Sequence, residues 1–260
     1  MSDSPVLYEV RERVALITLN RPERLNAMNR AMSDALRDTW RRFRDDRDAW
    51  VAIITGAGER AFCAGADVRE LADRAGPPAE PFVAVDMDPT LESGFDVFKP
   101  IIAAINGHCL GIGLTVALAA DFRIAAEHAT FGFPEVQRGV PTIVGAIRAP
   151  WVVGQQTALE MLLTGDLFDT AYALRVGLVN KVVPKERLME EAWALARRLC
   201  RNGPLAMKVT KEVLVRGQRM PLAEAWRLGE ALRAHARQTE DAREGPRAFL
   251  EKREPRYQGR

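Results

Sequence analysis

Short runs of consecutive apolar residues alternate with amphipathic stretches along the first half of the chain. Val14–Leu19 is a β-rich run, ended by the turn sequence Asn20-Arg21-Pro22. From Asn29 the apolar positions fall at three- and four-residue intervals: Met32, Ala35, Leu36, Thr39, Trp40 and Phe43. This spacing predicts a helix, with Asn29 placed to cap its first turn. Val51–Thr55 reads as a second strand, closed by Gly56-Ala57-Gly58. A loop over Phe62–Asp67 then leads to a short helix near Val68–Arg74. Ile101–Ile105 is a third apolar strand and Phe122–Ala126 a fourth. Between them Gly107–Gly113 turns into a helix, Leu114–Ala120, that is apolar on all sides and so belongs in the interior.

Strands this apolar cannot face water on either side. Their alternation with helices predicts an α/β architecture with covered, mostly parallel sheets. After Asp169 the pattern is largely helical. Leu188, Ala192, Leu195 and Leu199 form one stripe, broken by Asn202-Gly203-Pro204, and Leu222, Ala225, Trp226, Gly229 and Leu232 form another. Residues 75–97 carry four prolines and two glycines with weak periodicity, as expected of a lid or binding loop. No internal repeat stands out.

Composition narrows the function classes. The chain has 260 residues, 47% hydrophobic and 28% charged, with a formal charge of +2, as in an ordinary globular protein. Arg37, Arg41, Arg42, Arg44 and Arg47 are interrupted by Asp38, Asp45, Asp46 and Asp48, which marks a solvated helix face and no nucleic-acid partner. Cys63, Cys109 and Cys200, an odd number without regular spacing, point to a reducing compartment. Three histidines and no CxxC or HExxH pattern leave no metal site. No signal-peptide pattern opens the chain. The most apolar stretch, Pro100–Ala120, holds Asn106, His108 and three glycines, so it is no membrane span. A soluble, cytoplasmic protein is expected.

Three segments carry the candidate chemistry: Ala61-Phe62-Cys63-Ala64-Gly65-Ala66-Asp67, Asn106-Gly107-His108-Cys109-Leu110-Gly111-Ile112-Gly113, and Phe131-Gly132-Phe133-Pro134-Glu135 running on to Gly139-Val140-Pro141. The first two lead from a strand into a helix through small residues. Such a loop aims main-chain N–H groups at an anionic oxygen, aided by the helix dipole. Two such loops facing each other can stabilise an enolate, and one donor is typically worth roughly 2.7–4 kcal/mol of barrier lowering.

In order, spacing and wording these segments resemble those of the enoyl-CoA hydratase/isomerase (crotonase) superfamily. The similarity runs from Arg21-Pro22 and Leu25-Asn26-Ala27 to Glu244-Gly245 and Ala248–Arg253. The resemblance implies an α/β crotonase (ClpP-like) fold: a superhelical ββα spiral core over residues 1–200 that binds an acyl-CoA thioester, with coenzyme A as part of the substrate and no separate cofactor. It further implies a helical C-terminal segment, 201–260, for assembly into homotrimers or hexamers. Carried over position by position, Ala66 and Ile112 supply the oxyanion-hole amides and Glu135 the acid/base. Arg24, Leu25, Ala27, Ala64, Gly65, Asp67, Gly111, Thr115, Phe249 and Lys252 fall on substrate-binding positions, the last two commonly reaching a neighbouring subunit's ligand. Ile112 replaces the middle of three family glycines, and its side chain would narrow the acyl channel.

Thr115 stands where the hydratases carry a second glutamate. Threonine can hold a water but cannot take its proton near neutral pH. With one carboxylate, the β,γ to α,β double-bond isomerisation of an enoyl-CoA is the first expectation. Hydration is the alternative, with a second acid taken from Asp86, Asp88 or Glu92. Thioester hydrolysis, decarboxylation, dehalogenation and non-catalytic acyl-CoA binding remain further readings. Thioester hydrolysis by a serine is disfavoured, because only Ser2, Ser4, Ser33 and Ser93 occur and no GxSxG. The glycines of 107–113 also lack the order of a dinucleotide-binding loop. His108 is expected to pack, Cys109 to fill space, Asp67 to cap the helix at Val68, and Glu70 to form a structural hydrogen bond or ion pair.

Overall fold

The computed structural model describes residues 4–73 and 90–260, with the side chains of 71–73 set aside. Strands β1 (Val6–Arg11) and β2 (Val14–Leu19) form an antiparallel hairpin whose two turn residues, Glu12 and Arg13, both have positive φ. That is the turn handedness a two-residue hairpin favours. Helix α1 (Arg30–Asp45) begins where expected, the Asn29 side chain accepting from the Met32 amide at 2.9 Å. Its stripe of Met32, Leu36, Thr39, Trp40 and Phe43 is buried. The arginine-rich flank is exposed and laced by ion pairs such as Arg41–Asp38 and Arg44–Asp45.

Strand β3 (Val51–Gly56) follows, then the short strand β4 (Ala61–Cys63) and helix α2 (Val68–Asp73). The same succession recurs as β5 (Ile101–Ile105), β6 (His108–Leu110) and α3 (Ile112–Leu118). It recurs again as β7 (Phe122–Ala126), β8 (Thr130–Gly132) and a 3-10 turn at Pro134–Arg138. The long strands, joined by β9 (Lys181–Val183), make a six-stranded sheet of order β1-β2-β3-β5-β7-β9, parallel beyond the first pair. The short ones make a second, parallel sheet of order β4-β6-β8. Each turn of the chain thus adds one rung to both sheets, the superhelical ββα spiral of the crotonase fold.

Alternate residues of the long strands feed two separate cores. Ala52, Ile54, Ile101, Ala103 and Ile105 face the core holding Met32, Trp40 and Phe43. Val51, Ile53, Ile102 and Ala104 face the other, built on Trp193 and Ala196. With both faces covered, a continuous apolar strand is what the sheet requires. Sequence reading missed the short sheet. Phe62–Asp67, expected as loop, begins inside β4, and the turn at Gly107–Gly113 contains β6. A three-residue strand is too short to show a period.

The remaining helices are α4 (Val144–Val153), α5 (Gln155–Thr164), α6 (Thr170–Arg175), α7 (Leu188–Cys200), α8 (Pro204–Gly217), α9 (Leu222–Ala236) and α10 (Glu240–Leu250). The break at Asn202-Gly203-Pro204 separates α7 from α8. Lys211 of α8 reaches back to the core, its Nζ donating to Asp121 Oδ2 at 2.7 Å and to the Lys99 carbonyl at 2.9 Å. The α9 stripe has the expected spacing but is not interior to this chain: Leu222 is 86% and Trp226 67% exposed. Among the described residues no helix is long and apolar enough to cross a membrane, and no cluster of His, Cys, Asp and Glu could hold a metal ion.

Two asparagines of the sequence motifs are fasteners. Asn26, fully buried, accepts from the Arg21 amide and donates to the Ala57 and Ala61 carbonyls at 2.9–3.0 Å. Asn106 likewise donates to the Gly56 and Gly58 carbonyls at 2.9 and 2.8 Å. Asn26→Ala leaves three main-chain groups without partners and is expected to lower unfolding stability by about 3 kcal/mol, as a drop in urea midpoint with an unchanged slope. At the C-terminus, Arg253 forks onto the Glu244 carboxylate at 2.6 and 2.9 Å, and Asp241 accepts from the Gln258 and Gly259 amides. That closing segment is held by charge-assisted bonds.

Candidate active site

The short sheet aligns the candidate groups. Its registers set Cys63 beside Cys109 and Cys109 beside Phe131. Ala66 and Ile112 each lie three residues beyond the aligned cysteines, and Glu135 four beyond Phe131. All three therefore leave the carboxyl ends of adjacent parallel strands, the usual place for a ligand in such a sheet.

Close packing brings the first two loops together. A Cβ on Gly113 would stand 2.3 Å from the Cys63 carbonyl oxygen, so the first turn of α3 rests directly on the end of β4. Gly65, at φ +111°, faces the Leu110 carbonyl across 3.6 Å in the same sense. The Gly65 carbonyl accepts from the Met28 amide at 2.8 Å, and the Asp67 amide donates to the Met28 carbonyl at 2.9 Å. In an extended chain successive residues present their amides to opposite sides, so the Ala66 N–H points away from Met28. Ile112 is the first residue of α3, and its amide lies among those with no acceptor inside the helix.

Ala64, Gly65, Ala66, Gly111, Ile112, Thr115 and Glu135 line one cavity of about 380 Å³, closed by Val140–Gly145 and walled largely by apolar side chains. Glu135 is half-buried, and its carboxyl lies against Gly111: a Cβ there would meet Oε1 at 2.8 Å. Burial raises its pKa above the ordinary glutamate value. Its own backbone amide and the nearby Arg138 guanidinium pull it down less strongly. The acid thus keeps its proton to higher pH than a solvated glutamate. The Thr115 hydroxyl donates to the Gly111 carbonyl at 3.2 Å and abuts Gly145, where a Cβ would come within 2.9 Å of it.

Glu92 enters the same cavity from the segment before β5. It is 8% exposed, and its main chain is held by α4: Arg148 donates to the Leu91 carbonyl at 2.8 Å and to the Glu92 carbonyl. Glu92 Oε2, Glu135 Oε2 and Thr142 Oγ1 are all buried without a hydrogen-bond partner among the described residues. Unsatisfied polar atoms gathered around one cavity mark a place built for something other than stability. Asp86 and Asp88 lie outside the described residues.

Other sequence candidates fall elsewhere. The Asp67 carboxylate pairs with Arg21 at 3.0 Å, which holds its pKa below the usual range, and accepts from the Arg69 amide at 3.3 Å, as a capping residue does. Glu70 Oε2 accepts from the Arg30 amide at the start of α1. Arg24 is exposed, and Leu25 borders a separate hollow with Pro22 and Gly58. The Ala27 carbonyl accepts from Arg21. Phe249, 83% exposed, and Lys252, at φ +54°, do not join the cavity of their own chain. His108 does not pack inside. It is exposed and bonds across the sheet to Thr130 Oγ1 at 2.7 Å, on the side of the central strand β6 that turns away from the core. Burial pushes the Cys63 thiol up to about 11 and the Cys109 thiol well above its ordinary value, so neither is poised as a nucleophile. Thr142 and Gly145, which shape the cavity beside Glu135 and Thr115, had no signal in the sequence.

The chain is similar to known proteins over nearly its whole length. The family model described as Enoyl-CoA hydratase/isomerase matches residues 9–260. An (E)-benzylidenesuccinyl-CoA hydratase of Thauera aromatica is 40% identical over 259 residues, covering 98% of this chain and 99% of its own. A carnitinyl-CoA dehydratase of Citrobacter koseri is 41% identical over 253 residues, covering 94% of both chains. Among solved structures, an enoyl-CoA hydratase/isomerase from Mycobacterium paratuberculosis superposes with a TM-score of 0.89 at 36% identity over the whole of both chains.

Proposed function

Because this chain belongs to the enoyl-CoA hydratase/isomerase family, we propose that it adds water across the α,β double bond of an enoyl-CoA thioester, or removes it in reverse. The observation that carries this reading is the Glu135 carboxyl seated on Gly111, beside the turn that bears the Ile112 amide. A thioester carbonyl received by the Ala66 and Ile112 amides would hold its α-carbon within reach of Glu135. The two N–H groups stabilise the oxyanion that forms as the β-carbon is attacked. Glu135, whose hold on a proton is strengthened by burial, is placed to deliver the α-proton.

The hydratase and dehydratase named among the relatives favour water addition over the isomerisation expected from Thr115 alone. Val68, Ile112, Val140 and Ile143 would flank the acyl group and suit an apolar one, with Ile112 narrowing the channel. Coenzyme A enters as part of the substrate and the reaction uses no separate cofactor. Arg24 and Leu25 stand where its adenine end would lie. Phe249 and Lys252 would serve a neighbouring protomer in a trimer or hexamer, an assembly that would also cover Leu222 and Trp226. The test is mass spectrometry of α,β- and β,γ-enoyl-CoA after incubation. Hydration yields a product one water heavier from the α,β-substrate. A mass-neutral conversion of the β,γ-substrate, with no water gained from the α,β one, would reverse the assignment.

A further inference from the structure

We propose that Glu92 is the base that activates the attacking water, in place of the carboxylate that α3 lacks at Thr115. The inference rests on the hydratase reading and deepens it. Glu92 is more than nine-tenths buried, borders the cavity that holds Glu135, Ala66 and Ile112, and has Oε2 without a partner among the described residues. A buried carboxyl oxygen without a hydrogen bond is costly even with the charge of Arg148 nearby, and two such oxygens facing one cavity are costlier still. Pairing it with a neighbour would have been simple: Arg148 is at hand, yet its guanidinium bonds the Leu91 and Glu92 carbonyls and leaves Oε2 unbonded. The side chain is thereby positioned from its own main chain while its oxygen stays available to a ligand.

In the forward reaction Glu92 takes a proton from water as the water oxygen bonds to the β-carbon. The π electrons move onto the thioester oxygen, giving an enolate held by the Ala66 and Ile112 amides. The enolate collapses as Glu135 gives its proton to the α-carbon. The proton on Glu92 then passes to Glu135, directly or through water, which restores both groups and leaves one water added. Thr115, tied to the Gly111 carbonyl, takes no proton in this scheme.

The experiment compares Glu92→Gln with the parent in two assays on the full-length protein. One is hydration of an α,β-enoyl-CoA, and the other is deuterium exchange at the α-carbon of a saturated acyl-CoA in heavy water. Exchange needs Glu135 and the oxyanion amides but no attacking water. Glu92→Gln is expected to lower kcat for hydration at least about 100-fold with KM nearly unchanged, while α-exchange persists and shows the variant to be folded. Hydration within a few fold of the parent would overturn the role of Glu92 and leave the hydratase reading standing. A variant that has lost exchange as well would also overturn it, by making Glu92 a structural residue. A parent protein that exchanges α-protons but adds no water would overturn both.

Discussion

Glu135→Gln is expected to reduce turnover by roughly 10²–10⁴-fold, the span ordinarily lost with a single acid/base group. The amide keeps the shape that rests on Gly111 but has no proton to give to the α-carbon. KM should therefore move little while kcat collapses, and α-proton exchange should vanish together with hydration. This separates Glu135 from Glu92, whose replacement spares exchange. The same variant has a stability signature of opposite sign. The raised pKa means that the folded protein holds this proton over a pH range in which the unfolded chain has released it, so stability falls as pH climbs through that range. The glutamine variant lacks this loss. It should melt above the parent at about pH 8, the gap closing towards about pH 4, where the parent carboxyl is protonated in both states. Parallel thermal melts at the two pH values check it.

Gly111→Ala is expected to be as damaging to activity without touching any titratable group. Gly111 sits at φ 53°, ψ −123°, which L-residues rarely adopt, and an added methyl would stand 2.8 Å from Glu135 Oε1. Relief must rotate the peptide that precedes α3, displace the carboxyl, or both. The first turns the Ile112 amide off the oxyanion, worth roughly 10²–10³-fold by itself. The second moves the acid from the α-carbon. The strain should also cost about 1–3 kcal/mol of stability. Steady-state kinetics beside urea unfolding separates the two losses, because a partly destabilised protein that is still fully folded at assay temperature should already be inactive.

Four of the five long strands and α1 were legible because apolar runs and three-to-four spacing extend over enough residues to declare themselves; β1, with polar Glu9 and Arg11 and only one buried residue, was not. The short sheet was not, although it sets the register of the site. Cys63, Cys109 and Phe131 look like unrelated core residues until the chain is coiled. The site residues were read through the family resemblance, and Ala66, Ile112 and Glu135 do come to one cavity. Thr115 alone points to isomerisation, whereas the hydratase and dehydratase among the relatives favour the alternative of hydration, and a second carboxyl, Glu92, borders the cavity from a segment with no periodicity to read. Glu92 could be named as a candidate acid, but its burial, its place on the cavity and the packing of Arg148 on its main chain, which set it apart from a solvated loop glutamate, appear only in the fold. His108 shows the reverse error: it was expected to pack, but it starts a three-residue strand whose burial alternates, and it falls on the exposed side.

The two amides that would polarise the thioester belong to the main chain, braced by glycine contacts between neighbouring rungs of the spiral, whereas the proton-handling groups are side chains from separate segments. A point substitution can consequently alter which protons travel, and in what order, without disturbing how the carbonyl is gripped. One scaffold of this kind can host a succession of related reactions on activated acyl groups, each differing by the placement of one or two carboxylates.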